Sequence, residues 1–191
     1  MKELAERIIA EGIDLGGGIL KVDSFLNHQV DPILLFHCGK ALAGYFYQHA
    51  PTKILTAEIS GIAPALMAGL ELGIPVVYAR KHKPITMANG VFLATAPSHT
   101  KGGEITLMVS GDFLKPNDRV LVIDDFLASG ETIVALARLV KAARATLIGF
   151  GAVIEKAFEG GREKLKPWGV PVFALSRILS MDSGKITVEE S

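Results

Sequence analysis

The chain has almost no cysteine. Cys38 is the only one in 191 residues, which excludes an intrachain disulfide and a cysteine-built zinc site and suits a reducing cytoplasm. It has no excess of either charge. Twenty basic and twenty acidic side chains cancel, so no global field draws it to nucleic acid or to an anionic membrane. It also lacks a long apolar run. Its greasiest stretch, residues 59–79, contains Glu71, several glycines and prolines and mixed periodicity, whereas a span needs roughly 20 mostly apolar residues. The opening Met1-Lys2-Glu3-Leu4-Ala5-Glu6-Arg7 mixes acids with bases and reads as a helix start rather than a secretory signal. These absences predict a soluble, cytoplasmic protein with no membrane or nucleic-acid partner. Several motifs are missing too: GxxxxGK(S/T), GxGxxG after a strand, GxSxG and HExxH. That argues against a P-loop NTPase, a Rossmann dehydrogenase, an α/β-hydrolase and a zincin.

What is present is a 49% apolar chain of one domain's length, with enough apolar residues for a real core. A short amphipathic helix is predicted over residues 2–12. Asp31-Pro32 is a helix opening, with the Asp as cap and the Pro at the first helical position. That helix is predicted to run to about His49, with Ile33, Leu34, Cys38, Ala41, Leu42, Tyr45 and Phe46 inward. Strand and helix then alternate: strand 53–57, helix 61–72 stopped by Gly73, strand 74–79, strand 119–123, helix 131–143, strand 146–154 and a last strand 170–175. Between them, residues 84–103 form a polar insert, with a possible hairpin of 91–95 against 104–109. This order implies an α/β fold, a parallel twisted sheet flanked by helices. No linker splits the chain, so residues 1–191 read as a single domain. Residues 1–30 and the C-terminal tail fall outside the alternation and are expected to form a small lobe together.

The segment richest in chemistry is Val120-Leu121-Val122-Ile123-Asp124-Asp125-Phe126-Leu127-Ala128-Ser129-Gly130-Glu131-Thr132. A buried strand carries two acids at its carboxyl end, and a small-residue turn then opens a helix. Ligands of open parallel sheets bind beyond the carboxyl ends of the strands. Backbone N–H groups and the helix dipole at 129–132 make a phosphate seat, and the Ser129 and Thr132 hydroxyls add donors. A phosphate seat beside two carboxylates suits a phosphorylated sugar. By spacing alone, a solvated acidic turn with a helix cap fits equally well.

Residues 123–132 resemble the 5-phosphoribosyl 1-pyrophosphate (PRPP) signature of the type I phosphoribosyltransferases. The resemblance implies that Asp124 and Asp125 lie at the ribose hydroxyls and that Ala128, Ser129, Gly130, Glu131 and Thr132 wrap the 5′-phosphate. Glu58-Ile59-Ser60-Gly61 is similar to the family's pyrophosphate loop, although Ser60 also suits a plain helix cap. Ala79-Arg80-Lys81-His82-Lys83 places Arg80, Lys81 and Lys83 at a strand end, suited to a pyrophosphate or, without that context, to a solvated charge run. The family likeness makes 84–103 the flexible catalytic loop and makes residues 1–30 with the tail the hood over the base. It implies magnesium, carried as the PRPP complex, and a homodimer.

The resemblance covers nearly the whole chain and narrows to the branch that uses xanthine. It rests there on Lys21-Val22-Asp23-Ser24-Phe25-Leu26-Asn27-His28-Gln29, Ser60-Gly61-Ile62-Ala63-Pro64-Ala65, Ala79-Arg80-Lys81-His82-Lys83 and Val153-Ile154-Glu155-Lys156. In that branch the positions matching Leu20, Asn27 and Lys156 contact the purine. The chemistry agrees: a lysine donates to a 6-oxo group and would meet the 6-amino group of adenine donor to donor, while an asparagine offers one donor and one acceptor. Taken without the resemblance, Lys156 reads as a surface lysine and Asn27 as a loop residue bonded to its own backbone. Ala128 stands where hypoxanthine-guanine enzymes carry an acid, which favours the xanthine and adenine branches and leaves the proton acceptor unassigned. Residues 94–101 contain no tyrosine, a departure from many members. An adenine-using enzyme is the nearest alternative. A non-catalytic PRPP-binding regulator is the other, set back by the few, electrically balanced residues ahead of the core.

Overall fold

The computed structural model describes residues 1–82, 90–97, 103–182 and 184–189. Its order is α1 (Lys2–Glu11), β1 (Ile13–Asp14), β2 (Leu20–Lys21), α2 (Pro32–Phe46), β3 (Lys53–Ala57), α3 (Ile62–Leu72), β4 (Val76–Ala79), β5 (Val91–Pro97), β6 (Glu104–Ser110), β7 (Arg119–Leu127), α4 (Glu131–Ala142), β8 (Thr146–Lys156), α5 (Gly161–Leu165), β9 (Val172–Asp182) and β10 (Lys185–Val188). Lys83 and most of the predicted catalytic loop lie outside the described residues.

Six strands form one sheet in the order β10-β9-β8-β7-β3-β4. All neighbours run parallel except β10 on β9. The chain builds outward in one direction from β3 to β4 and in the other from β7 through β8 and β9. The switch falls between β3 and β7, where open sheets place their ligands. Alternation along β7 feeds two cores. Leu121 and Ile123 join Ile54, α1, α2 and α3 on one face. Val120 and Val122 join Leu55, α4 and the β5–β6 hairpin on the other. Coverage of both faces makes β7 apolar throughout rather than alternating in polarity.

Local chemistry explains the ends of the helices. The Asp31 side chain accepts from the backbone N–H groups of Ile33 and Leu34, both at 3.1 Å, with Pro32 at the first helical position. Those bonds hold the Asp31 carboxyl below its ordinary value. Gly73 stops α3 in the left-handed region, at φ 67°.

Four expectations need correction. β7 does not stop at Ile123: it runs through the acidic pair to Leu127, because β8 continues beside it and pairs Asp124 with Ala152 and Phe126 with Ile154. β8 likewise carries Glu155 and Lys156 within the strand. The last predicted strand begins later and runs to Asp182, where β10 folds back on it. On α2, Ile33 and Tyr45 face outward and Leu35 is buried instead. Tyr45 stacks on Phe173 of β9, ring centroids 4.1 Å apart and planes parallel, so its exposed ring still packs on the sheet. The predicted hairpin is present and longer, with Val91 opposite Ser110 and Pro97 opposite Glu104. The two ends of the chain also meet, since α1 packs on β9 and β10.

Candidate active site

β3 pairs with β7 only as far as Val122. β7 and β8 outrun it, and the step leaves Asp124 and Asp125 facing the loop 58–61 instead of another strand. Both acids are buried. Burial, then the neighbouring Asp125 charge, holds the Asp124 carboxyl well above its ordinary range, with Lys81 acting weakly the other way. The backbone N–H of Asp125 donates to Asp124 Oδ1 at 3.1 Å. A carboxyl held this way is poised to accept from a ligand that supplies hydroxyl donors.

The turn after β7 brings Gly130 to φ 80°. The first N–H groups of α4, a 12-residue helix, begin immediately beyond it and lack intrahelical acceptors. Gly161 backs this turn so closely that a Cβ there would lie 2.2 Å from the Ala128 carbonyl. Lys164 pairs with Glu131 at 2.5 Å on the same rim. The Glu58–Ile59 peptide in the facing loop is cis. Glu58 pairs with Arg80 Nε at 2.9 Å and accepts from the Lys81 backbone N–H at 2.6 Å, tying this loop to the end of β4.

A cleft of about 910 Å³ opens at this step. Leu20, Asn27, Ser60, Asp124, Asp125, Ala128, Ser129, Gly130, Glu131, Thr132 and Lys156 all line it. Ten positions scattered over four sequence segments, and Leu20 from a fifth, thus meet at one wall. Gly61 does not line it; it sits behind Ser60, against Thr56 and Asp124. Arg80 does not line it either. Its guanidinium lies over Tyr78, 5.8 Å from the ring centroid, beside a second, 560 Å³ depression. Lys81 is exposed and off the cleft wall.

Lys156 is neither a free nor a surface side chain. Its Nζ donates to the Gly18 carbonyl at 2.7 Å and pairs with Glu159 at 2.6 Å, and it sits 5.7 Å from the Phe126 ring centroid. Phe126, Phe158 and Glu159 line the cleft as well; sequence reasoning did not assign them. Phe126 lay inside the quoted signature, but Phe158 and Glu159 follow the strand in a short helical turn whose direction has no sequence signal. Glu155, 2% exposed, is clamped by Arg162 at 2.5 Å and Arg177 at 3.1 Å, which anchors the strand end next to Lys156. Buried Cys38 has its thiol pushed up to about 12 by burial, far from reactive.

A mostly parallel sheet with paired carboxylates, a tight turn and a helix start at its switch point defines an α/β protein whose candidate site lies beyond the carboxyl ends of its strands. Residues 29–182 match the phosphoribosyl transferase domain family, and the chain belongs to it. A xanthine phosphoribosyltransferase of Deinococcus deserti is 50% identical over 191 residues, 100% of this chain and 99% of that protein. One of Geobacillus thermodenitrificans is 48% identical, covering 100% and 98%. Among solved structures, the adenine phosphoribosyltransferase of Rhodothermus marinus superposes with a TM-score of 0.75 at 26% identity, covering 93% of this chain and 100% of that one.

Proposed function

We propose that the chain transfers the 5-phosphoribosyl group of PRPP to N9 of xanthine, giving xanthosine 5′-monophosphate and pyrophosphate. One observation carries the reading: the 128–132 turn, the Asp124–Asp125 pair and the Leu20, Asn27 and Lys156 positions share a single cleft. Full-length relatives that act on xanthine support the choice of base.

The C1′–oxygen bond to pyrophosphate breaks while the C1′–N9 bond forms, and the purine releases its ring proton. Positive charge grows at C1′, as in glycoside chemistry. The protein contributes position and preorganised charge. Ala128 to Thr132 hold the 5′-phosphate, Asp124 and Asp125 orient the ribose hydroxyls, and Ser60 with the 58–61 backbone meets the leaving group. Arg80 and Lys81 join it by way of Glu58, as part of that loop's frame. Lys156 donates to the 6-oxo group, and Asn27 meets the 2-oxo group and N3–H. Two hard carboxylate oxygens beside the phosphate seat fit magnesium, which PRPP carries with its own oxygens and water and which neutralises the pyrophosphate charge.

The chain ends form the hood, and the protein acts as a homodimer. Leu66 and Leu70 stand exposed on α3, Ile59 at 81% in the loop before it and Tyr78 on the edge strand β4, apolar surface suited to a second copy. Sedimentation tests that assembly. No helix among the described residues is long and apolar enough to cross a membrane, and the single buried thiol suits the cytoplasm.

The deciding experiment is a steady-state assay with PRPP, magnesium and each of xanthine, guanine, hypoxanthine and adenine. Preference for xanthine is expected. Preference for adenine would keep the transferase and overturn the base contacts, and PRPP binding without turnover would make the protein a regulator.

A further inference from the structure

We propose that Glu159 and Lys156 act as one joined acceptor–donor pair that reads the O6 and N1–H edge of the base, with Glu159 as a specificity-determining residue. The inference rests on the reading of the cleft as a 6-oxopurine site.

Lys156 has three N–H donors. Its Nζ donates to the Gly18 carbonyl at 2.7 Å and is ion-paired with Glu159 Oε1 at 2.6 Å, which leaves donor capacity for a ligand. A lone lysine on a four-carbon stem could swing to suit many acceptors; this one is held at two points. Its carbonyl partner lies in a turn closed by hydrogen bonds from the Ile19 N–H to the Gly16 carbonyl at 3.0 Å and from the Leu15 N–H to the Ile19 carbonyl at 2.9 Å. Glu159 lines the same cleft. Its second carboxylate oxygen has no hydrogen-bond partner among the described residues. Both side chains are largely sheltered, 13% and 20% exposed, and Lys156 lies beside the Phe126 ring, where hydrogen bonds gain strength from partial exclusion of water.

The pair therefore presents a donor beside an acceptor. A lactam edge presents the complement, a carbonyl next to an N–H, so O6 takes the Lys156 proton and N1–H donates to Glu159. Adenine presents the reverse polarity, a 6-amino donor next to a bare N1, and so mismatches at both atoms. Lysine alone would reject only one of them. Sites that hydrogen-bond their substrate discriminate strongly because a wrong ligand leaves buried groups unpaired.

The test is kinetic, with saturating PRPP and magnesium. Glu159→Gln keeps the shape of the side chain but adds a donor that N1 of adenine can accept. We expect the kcat/KM preference for xanthine over adenine to fall by about 10-fold or more, with KM for PRPP unchanged. A preference equal to that of the unsubstituted protein would overturn the proposal, because a merely structural glutamate would be replaced by its isostere without effect. Glu159→Ala supplies a second readout: discrimination between xanthine and 1-methylxanthine, whose N1–H is gone, should shrink by about 10- to 100-fold. An unchanged ratio again rejects the role. If the unsubstituted protein turns over no 6-oxopurine, the cleft reading itself fails, and that result is distinct from normal xanthine turnover with unmoved ratios.

Discussion

Gly61 and Asp124 are in contact through a missing side chain: a Cβ on Gly61 would lie 2.6 Å from Asp124 Oδ1 and 2.3 Å from Thr56 Oγ1. The loop 58–61 can therefore close on the acidic strand only if residue 61 has no side chain. Gly61→Ala should push the loop off Asp124. We expect a loss of about 1–3 kcal/mol in denaturant unfolding and a raised KM for PRPP. Unchanged stability and KM would show that the loop has room to spare.

Asp124 links stability to pH. Its carboxyl is held above the ordinary aspartate value of 3.8, first by burial and then by the Asp125 charge. Below pH 3.8 it is protonated whether folded or unfolded and costs nothing. As pH rises from there through the folded value, the unfolded chain ionises first and stability falls; above that value the loss is constant. Asp124→Asn should abolish this fall. Denaturant unfolding across pH should find the variant more stable than the parent at neutral pH, with the gap closing toward pH 4. The same variant should lose about 10- to 100-fold in kcat/KM for PRPP, a case of stability given up for function.

Gly161 should matter for a substrate it never touches. A side chain there would meet the Ala128 carbonyl at 2.2 Å and the Gly130 nitrogen at 2.8 Å, shifting the turn proposed to seat the 5′-phosphate. Gly161→Ala is expected to raise KM for PRPP several-fold and to cost about 1–3 kcal/mol. Calorimetric titration with PRPP checks the first, and thermal unfolding the second.

Lys156→Ala separates the two substrates. It should lower kcat/KM for xanthine by about 10- to 100-fold while KM for PRPP holds. It also frees the Gly18 carbonyl, so amide exchange should quicken over residues 16–20. Equal loss on both substrates would point to misfolding and overturn the base contact.

Much of this molecule was legible from local chemistry. The Asp31-Pro32 cap, the Gly73 stop and the alternation of strand and helix each depend on near neighbours, and each stands where the residues predict. The turn from the acid pair through Ala128-Ser129-Gly130 into a helix was equally readable, because turn and helix start are consecutive. The extent of β7 was not. Whether Asp124 and Asp125 lie in a turn or in a strand depends on β8 continuing alongside, and β8 is distant in sequence. The same holds for Arg80, whose ion pair with Glu58, 22 residues earlier, no local pattern announces.

The sequence by itself determined the class of fold, the turn into α4 and the list of polar residues available for chemistry, since those follow from hydrophobic period, capping and turn geometry over short spans. Only the tertiary structure decided which of those residues meet. Lys156 gains its orientation from Gly18 and Glu159, Glu155 its charge partners from Arg162 and Arg177, and Asp124 its raised protonation from burial beneath Gly61 and beside Asp125. Each of these is a matter of distance and solvent exclusion between segments, and no local pattern of residues encodes either.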